Sequence, residues 1–283
     1  MADLIRVRES TRYKGLFVHK YHRSVFFKNL WHTDNNLLES RGRVTNSSGE
    51  VVVNPFTKVF NYKENGITIA LDTECVVVEK INGFMATLTW VEEVGEVVVS
   101  TTGSLDSKYV DMAKSMLPYA IKYLEEYKSK VTYIFEIVHP DDPHIIKENL
   151  GAYLLGVRCT DDNAPYATEP NKESLLDRFA ADMRVARPQW GCMVFDDVLR
   201  AARECRHEGY MVYSKDTTLK LKSPYYLALK AIARKRDILS LDYKRVDEEF
   251  YPLLDHLRES EMFNNLPEQE RLNYMKGWLH GDN

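Results

Sequence analysis

Residues 74–92 read ECVVVEKINGFMATLTWVE, and this stretch sets the class of the fold. Two apolar runs rich in β-branched residues, Cys75–Val78 and Phe84–Val91, flank a short break at Lys80–Gly83. Runs of that length bounded by turn residues predict strands. The break predicts a turn that holds Lys80 at the edge of a pocket while flanking Val and Met residues anchor it in a core. EVVVSTTGS, residues 96–104, continues the strand-rich pattern.

Upstream, residues 25–66 are short apolar runs broken by Gly49, Gly66 and Asn-rich turns, which predicts strands and loops instead of a long helix. Downstream, residues 105–129 change to helical spacing through Met112, Met116, Tyr119, Ile121 and Leu124, with Pro118 set to kink or divide the helix. TYIFEIVH at 132–139 returns to a strand with Glu136 between Phe135 and Ile137, and IIKENLGAYLLGVRC at 145–159 suggests a hairpin or strand pair. A polar connector at 160–174 leads to helical patterns at 175–187 and 195–205. EGYMVY at 208–213 and TTLKLKS at 217–223 predict two more strands. Beyond about Pro224 the patterns are helical, giving a small tail. Helices and strands mixed without a repeat predict an α+β fold.

The chain has 283 residues, enough to bury one large core and a smaller appendage. A mean hydropathy of -0.40 and a 28% charged fraction describe a soluble globular protein. No run approaches the ~20 apolar residues that span a bilayer, and the first ten residues lack a secretory apolar core, so the expectation is a protein without membrane contact, in the cytoplasm. Cys75, Cys159, Cys192 and Cys205 show no CxxC pairing, which argues against a disulfide framework or a zinc cluster. A net charge of -4 gives no whole-protein attraction for a polyanion, so nucleic-acid chemistry would need a local basic surface.

Lys80 lies in EKING. A neutral lysine amine beside a nucleotide can attack an α-phosphorus and form a phosphoramidate. Gly83 would let backbone approach the nucleotide. By itself the motif also suits a solvated lysine beside a turn. The ordered set is more informative: Lys80, then Glu136 in a strand, Glu208 before a strand, and Lys220 and Lys222 within one. Strand alternation puts Lys220 and Lys222 on one face, so both can enter one phosphate-binding cleft. Glu136 and Glu208 can oppose them by binding ribose hydroxyls or a divalent ion, since phosphate transfer needs both signs of charge.

This order resembles the motifs of the covalent nucleotidyltransferase superfamily of RNA ligases, DNA ligases and capping enzymes. EKING matches the lysine nucleophile motif, FEIV the third, EGYMVY the fourth and LKLK the fifth, with STTGS a looser intervening element that lacks the lysine sometimes found there. ESRGRV and NPFTKVFN, carrying Arg41 and Lys58, resemble the upstream elements of bacteriophage RNA ligases of the tRNA-repair type.

The resemblance implies an α+β nucleotidyltransferase domain, ATP-grasp-like, with antiparallel sheets flanked by helices, over residues 1–224, and a helical region over 225–283. It implies an ATP-dependent RNA ligase that carries AMP on Lys80, uses magnesium or manganese, and joins RNA 5'-phosphate and 3'-hydroxyl ends. Lys80, Lys220 and Lys222 would be catalytic. Arg41, Lys58, Glu79, Ile81, Gly83, Glu136 and Glu208 would bind nucleotide or RNA phosphate, with Glu208 also at the metal. A phage source would put the protein in the host cytoplasm. The alternatives are a ligase of DNA or nicked duplex and an inactive RNA-end-binding protein; oligomeric state is left open.

Overall fold

A computed structural model describes residues 4–160, 172–260 and 262–280. Its contacts divide the chain into two compact units that interleave along the sequence: residues 1–59, 83–142 and 149–188 form the first, and 60–82, 143–148 and 189–283 the second.

The first unit holds two antiparallel sheets. One is built from β1 (Ile5–Glu9), β2 (Phe17–Tyr21), β3 (Arg41–Thr45) and β4 (Val51–Val53), in that order. Two helical turns, α1 (Arg23–Phe27) and α2 (Asn36–Glu39), interrupt the expected strands and loops. The other sheet takes β7 (Phe84–Val91), β8 (Glu96–Thr101), β9 (Val131–Val138) and β10 (Gly151–Cys159) in the order β10-β9-β7-β8.

Three helices, α3 (Lys108–Met116), α4 (Pro118–Tyr127) and α5 (Lys172–Met183), share a core with that sheet. Pro118 divides the helical stretch because it occupies the first turn of α4, where its missing N–H costs nothing. Leu88, Phe135, Ile137 and Leu154 from the strands meet Val110, Leu117, Leu124 and Leu176 from the helical side. Each such fully buried side chain contributes about 1.5–3 kcal/mol. A second core joins Val91, Val98 and Leu105 to Val18, Val44 and Val53 of the N-terminal sheet.

The second unit is a five-stranded sheet with helices. β5 (Phe60–Asn61), β6 (Glu74–Glu79), β11 (Trp190–Val194), β12 (Gly209–Tyr213) and β13 (Thr218–Lys222) run in the order β11-β6-β12-β13-β5. All pairings are antiparallel except the short β13–β5 pair. On one face α6 (Phe195–Glu204) buries Phe195, Val198 and Ala202 against Cys75, Val77, Val212 and Leu219. Alternation therefore turns Val76, Val78, Met211, Lys220 and Lys222 to the opposite face. The C-terminal helices α7 (Pro224–Ala233), α8 (Tyr251–Glu259) and α9 (Glu268–His280) enclose a core that also takes in Ile145 and Ile146.

Four points of the sequence reading need correction or completion. The strands flanking EKING belong to different sheets. Residues 145–159 form no strand pair: Gly151–Cys159 is one long strand, while Ile145 and Ile146 are spent as core residues of the helical region. The strand Trp190–Val194 went unread: its apolar residues are short in extent, interrupted by Gly191 and continuous with the helix that starts at Phe195, and as a sheet edge it leaves Trp190, Cys192 and Val194 exposed. Within the polar connector, residues 161–171 lie outside the described residues, and Lys172–Ser174 already belong to α5.

Candidate active site

In the second unit, Lys80 leaves the end of β6 and its backbone N–H donates to Gly209 O at 2.9 Å. That bond ties the lysine turn to the start of β12, immediately after Glu208. Gly209 is required there: φ is +121°, and an added Cβ would lie 2.1 Å from Leu221 O. The close crossing of backbone puts Glu208 beside both lysine strands.

Glu208 is 3% exposed. Lys80 Nζ donates to its Oε2 at 2.9 Å, Lys222 Nζ lies 3.5 Å from its Oε1, and Asn82 Nδ2 donates to Oε2 at 2.7 Å. Burial alone would raise the Glu208 pKa, but the charges of Lys80 and Lys222 and the hydrogen bonds from Lys80 and Asn82 outweigh it and hold the carboxyl below the ordinary glutamate value. Lys222 is pushed below the usual lysine range, chiefly by burial, with Glu208 opposing and Lys80 adding to the shift.

Asn82 is the organiser that sequence reasoning missed. It is buried, and it accepts from Ile146 N–H at 2.9 Å through Oδ1 while its own N–H donates to Glu148 Oε1 at 3.1 Å. The 143–148 segment is thereby fixed to the lysine turn. Burial, with the charges of Glu79 and Glu208, raises the Glu148 pKa against the lowering effects of the Asn82 N–H and Lys80. Nothing local marks Asn82 or Glu148: Asn82 sits in the polar EKING turn, and its burial follows from the fold.

The ring of Tyr226 carries Lys222 Nζ at 5.1 Å and Lys230 Nζ at 5.3 Å from its centroid. Burial, with Glu208 next, pushes the Tyr226 pKa up to about 12, so the phenol stays protonated. Glu79 lies 3.9 Å from His207 Nδ1, and Ile81 is buried with its carbonyl 3.5 Å from Lys80 Nζ. Lys220 shares the face of Lys222 and pairs in register with Met211. Among the described residues no three His, Cys, Asp or Glu side chains cluster as a metal cage. Glu208 is a single carboxylate donor, which suits a cation held mainly through substrate phosphates and water.

The remaining sequence candidates, Arg41, Lys58, Gly83 and Glu136, belong to the first unit. Gly83 N–H donates to Glu136 Oε1 at 3.1 Å, and an added Cβ at Gly83 would lie 2.2 Å from Ile137 O, so the glycine permits that approach. Glu136 pairs in register with Met85, whose sulfur lies 4.0 Å from Arg41 Nη1. Arg41 and Glu136 thus meet the same strand. Lys58 is fixed elsewhere in this unit: its N–H donates to Leu38 O and its ammonium lies 5.4 Å from the Trp31 ring centroid.

Antiparallel sheets with flanking helices carry a lysine turn and a lysine-bearing strand around one carboxylate, the arrangement the sequence motifs lead one to expect of a ligase-type fold. The chain belongs to the RNA ligase family, whose model matches residues 39–226. No curated protein sequence matches it. Among solved structures it is similar to an archaeal ATP-dependent RNA ligase (form 1), with TM-score 0.58 and 16% identity over 98% of this chain and 73% of that one. Form 2 of an archaeal ATP-dependent RNA ligase gives 0.52 and 17% over 82% and 65%. A putative ATP-dependent DNA ligase from Aquifex aeolicus gives 0.57 and 12% over 98% and 75%. At these identities the likeness is one of fold, and the chain spans just under two thirds of the form 2 archaeal ligase.

Proposed function

We propose that this protein is an ATP-dependent RNA ligase that stores AMP on Lys80 and joins a 5'-phosphate to a 3'-hydroxyl. The observation that carries the reading is the Glu208 carboxylate held between Lys80 and Lys222, in a chain of the RNA ligase family. The arrangement suits a phosphate site: when ATP arrives, its phosphates replace Glu208 as partners of the ammonium groups, and Lys80 is released toward the α-phosphorus.

In the first step Lys80 Nζ, having lost a proton, attacks the α-phosphorus. A P–N bond forms, the bond to the β-phosphate oxygen breaks and pyrophosphate leaves. In the second, an oxygen of an RNA 5'-phosphate attacks the adenylate, the P–N bond breaks, and a 5'-to-5' pyrophosphate linkage results. In the third, a 3'-hydroxyl attacks the RNA phosphate, the phosphodiester forms and AMP departs. Lys220 and Lys222 stabilise phosphate charge in these transfers. Glu79, Ile81, Gly83 and Glu136 contribute to the nucleotide pocket, and Arg41 and Lys58 contact phosphate or the RNA end. Bound through ATP phosphates and Glu208, magnesium or manganese would lessen repulsion among the phosphates. The Arg41 and Lys58 elements, by their resemblance to those of bacteriophage RNA ligases, support the sealing of RNA ends over DNA.

The test uses α-labelled ATP with a divalent ion. Wild type is expected to keep label after denaturation, and Lys80→Ala to lose it by at least about a thousandfold, as for removal of a covalent nucleophile. Equal labelling of the two proteins would remove Lys80 from its role. Sealing of 5'-phosphorylated single-stranded RNA, nicked RNA and nicked DNA then fixes the substrate, a preference for DNA overturning the RNA assignment.

A further inference from the structure

The N-terminal sheet carries a row of cations across three strands. Arg6 of β1 pairs in register with Lys20 of β2, and Lys20 pairs with Arg41 of β3 at a register shift between His19 and Lys20. Arg6 and Lys20 are exposed and Arg41 is half-buried. Among the described residues no carboxylate pairs with any of the three; the one polar contact of Arg41 is the Met85 sulfur at 4.0 Å. Like charges set opposite one another weaken a sheet. A chain with net charge -4 has carboxylates enough to neutralise them, so their absence from this row points to a ligand that brings negative charge.

Lys20 is not a loose tether. Its ammonium rests against the STTGS loop, so that a Cβ built on Gly103 would lie 2.8 Å from Nζ. Adjacent strands are about 4.8 Å apart, so the three positions extend over about 10 Å, a line suited to successive phosphodiesters. Backbone phosphates carry no sequence information, which is what an enzyme joining arbitrary ends requires of its general contacts.

We propose that Arg6, Lys20 and Arg41 form a track for the phosphodiester backbone of the RNA substrate, lying on the N-terminal sheet. The proposal rests on the RNA ligase reading for the identity of its polyanion. Arg41 is the end of the track that the sequence motifs also single out; Arg6 and Lys20 extend it along strands β1 and β2 and lie outside the family match.

The experiment measures binding of a 5'-phosphorylated single-stranded RNA by fluorescence anisotropy over a series of salt concentrations, in the full chain. The double variant Arg6→Gln/Lys20→Gln is expected to bind about tenfold more weakly at low salt, and its slope of log affinity against log salt to fall by about 1.4, two contacts at ~0.7 each. Labelling by α-labelled ATP should be unchanged. Gly103→Ala keeps every charge but displaces the Lys20 tip, and should weaken RNA binding by a smaller factor at an unaltered melting temperature. Unchanged affinity and slope in the double variant would overturn the track, as would a parallel loss of ATP labelling, which would assign these cations to the nucleotide. A wild-type protein that binds RNA with the expected slope yet takes no label would refute the ligase reading and leave the track standing. Labelled protein whose RNA affinity ignores the double substitution would do the reverse.

Discussion

Two groups of cations in this molecule are built on opposite terms. Lys80 and Lys222 share a carboxylate that is 3% exposed, with Asn82 completing its coordination. Arg6 and Lys20 face each other across two strands in water with no acidic partner among the described residues. Buried charges need a counter-charge in place beforehand, because leaving one unpaired costs several kcal/mol. Exposed ones are screened by solvent and salt, so they tolerate one another until a polyanion arrives. The first group can be preorganised for chemistry on a single phosphate; the second can only collect.

The sharpest way to break this contrast after Lys80→Ala is to remove the shared carboxylate. Glu208→Ala leaves two ammonium groups facing a desolvated gap, and should lower folding stability by about 3 kcal/mol and ATP labelling by about a hundredfold. A variant that melts like wild type in denaturant titration would show that the cluster is not electrostatically strained by loss of its anion. Asn82→Ala comes next. It removes the bonds to Glu208 and to Ile146 N–H, and its expected cost is about 1–3 kcal/mol for the buried partners left unsatisfied. Labelling should fall with it, and Asn82→Asp should be worse for labelling than its size suggests, since it sets a second carboxylate against Glu208.

How much of this was legible beforehand follows from range in sequence. The strand pattern around Lys220 and Lys222 is local, and the structure shows its consequence: Leu219 and Leu221 are buried while both lysines sit half-buried on the other face. The motif order pointed to distant residues to compare, and of these Lys80, Glu208 and Lys222 lie together. What could not be read depends on paths between units or on register. Glu148 reaches Asn82 only because the short 143–148 segment leaves the first unit and buries Ile145 and Ile146 among the C-terminal helices. The Arg6–Lys20–Arg41 row depends on how three strands align, including one register shift, and no periodicity within a single strand encodes that.

A pH series sharpens the comparison further, because the buried cluster holds the carboxylates Glu208 and Glu148. Glu208 has a folded-state pKa below its ordinary value of 4.5. Its stabilising contribution is therefore fully present above about pH 4.5 and lost as pH falls through the depressed value. Glu148 has the opposite sign: its raised folded pKa makes stability decline as pH rises above 4.5 toward that value. Melting temperatures taken between neutral pH and strong acid should show a steeper acid-side fall in wild type than in Glu208→Gln. Glu148→Gln should flatten the region just above pH 4.5 instead. Superimposable acid limbs for wild type and Glu208→Gln would mean that the carboxylate gains nothing from its lysines.

The smallest expected effect is the most discriminating, because its sign differs between the two groups. Removing a cation from the buried cluster, as in Lys222→Gln, leaves Glu208 with one partner fewer and should destabilise the fold. Removing one from the exposed row, as in Lys20→Gln, relieves repulsion from Arg6 and Arg41 across the strands and should raise the melting temperature slightly. Screening supplies the control: the gain should be visible at low salt and disappear once the Debye length shrinks to about 3 Å near 1 M. A loss of stability in Lys20→Gln at low salt would mean that contact with the STTGS loop outweighs the repulsion. Lys20 would then be held in place by the fold itself, and the row would stand in the same class as the buried cluster.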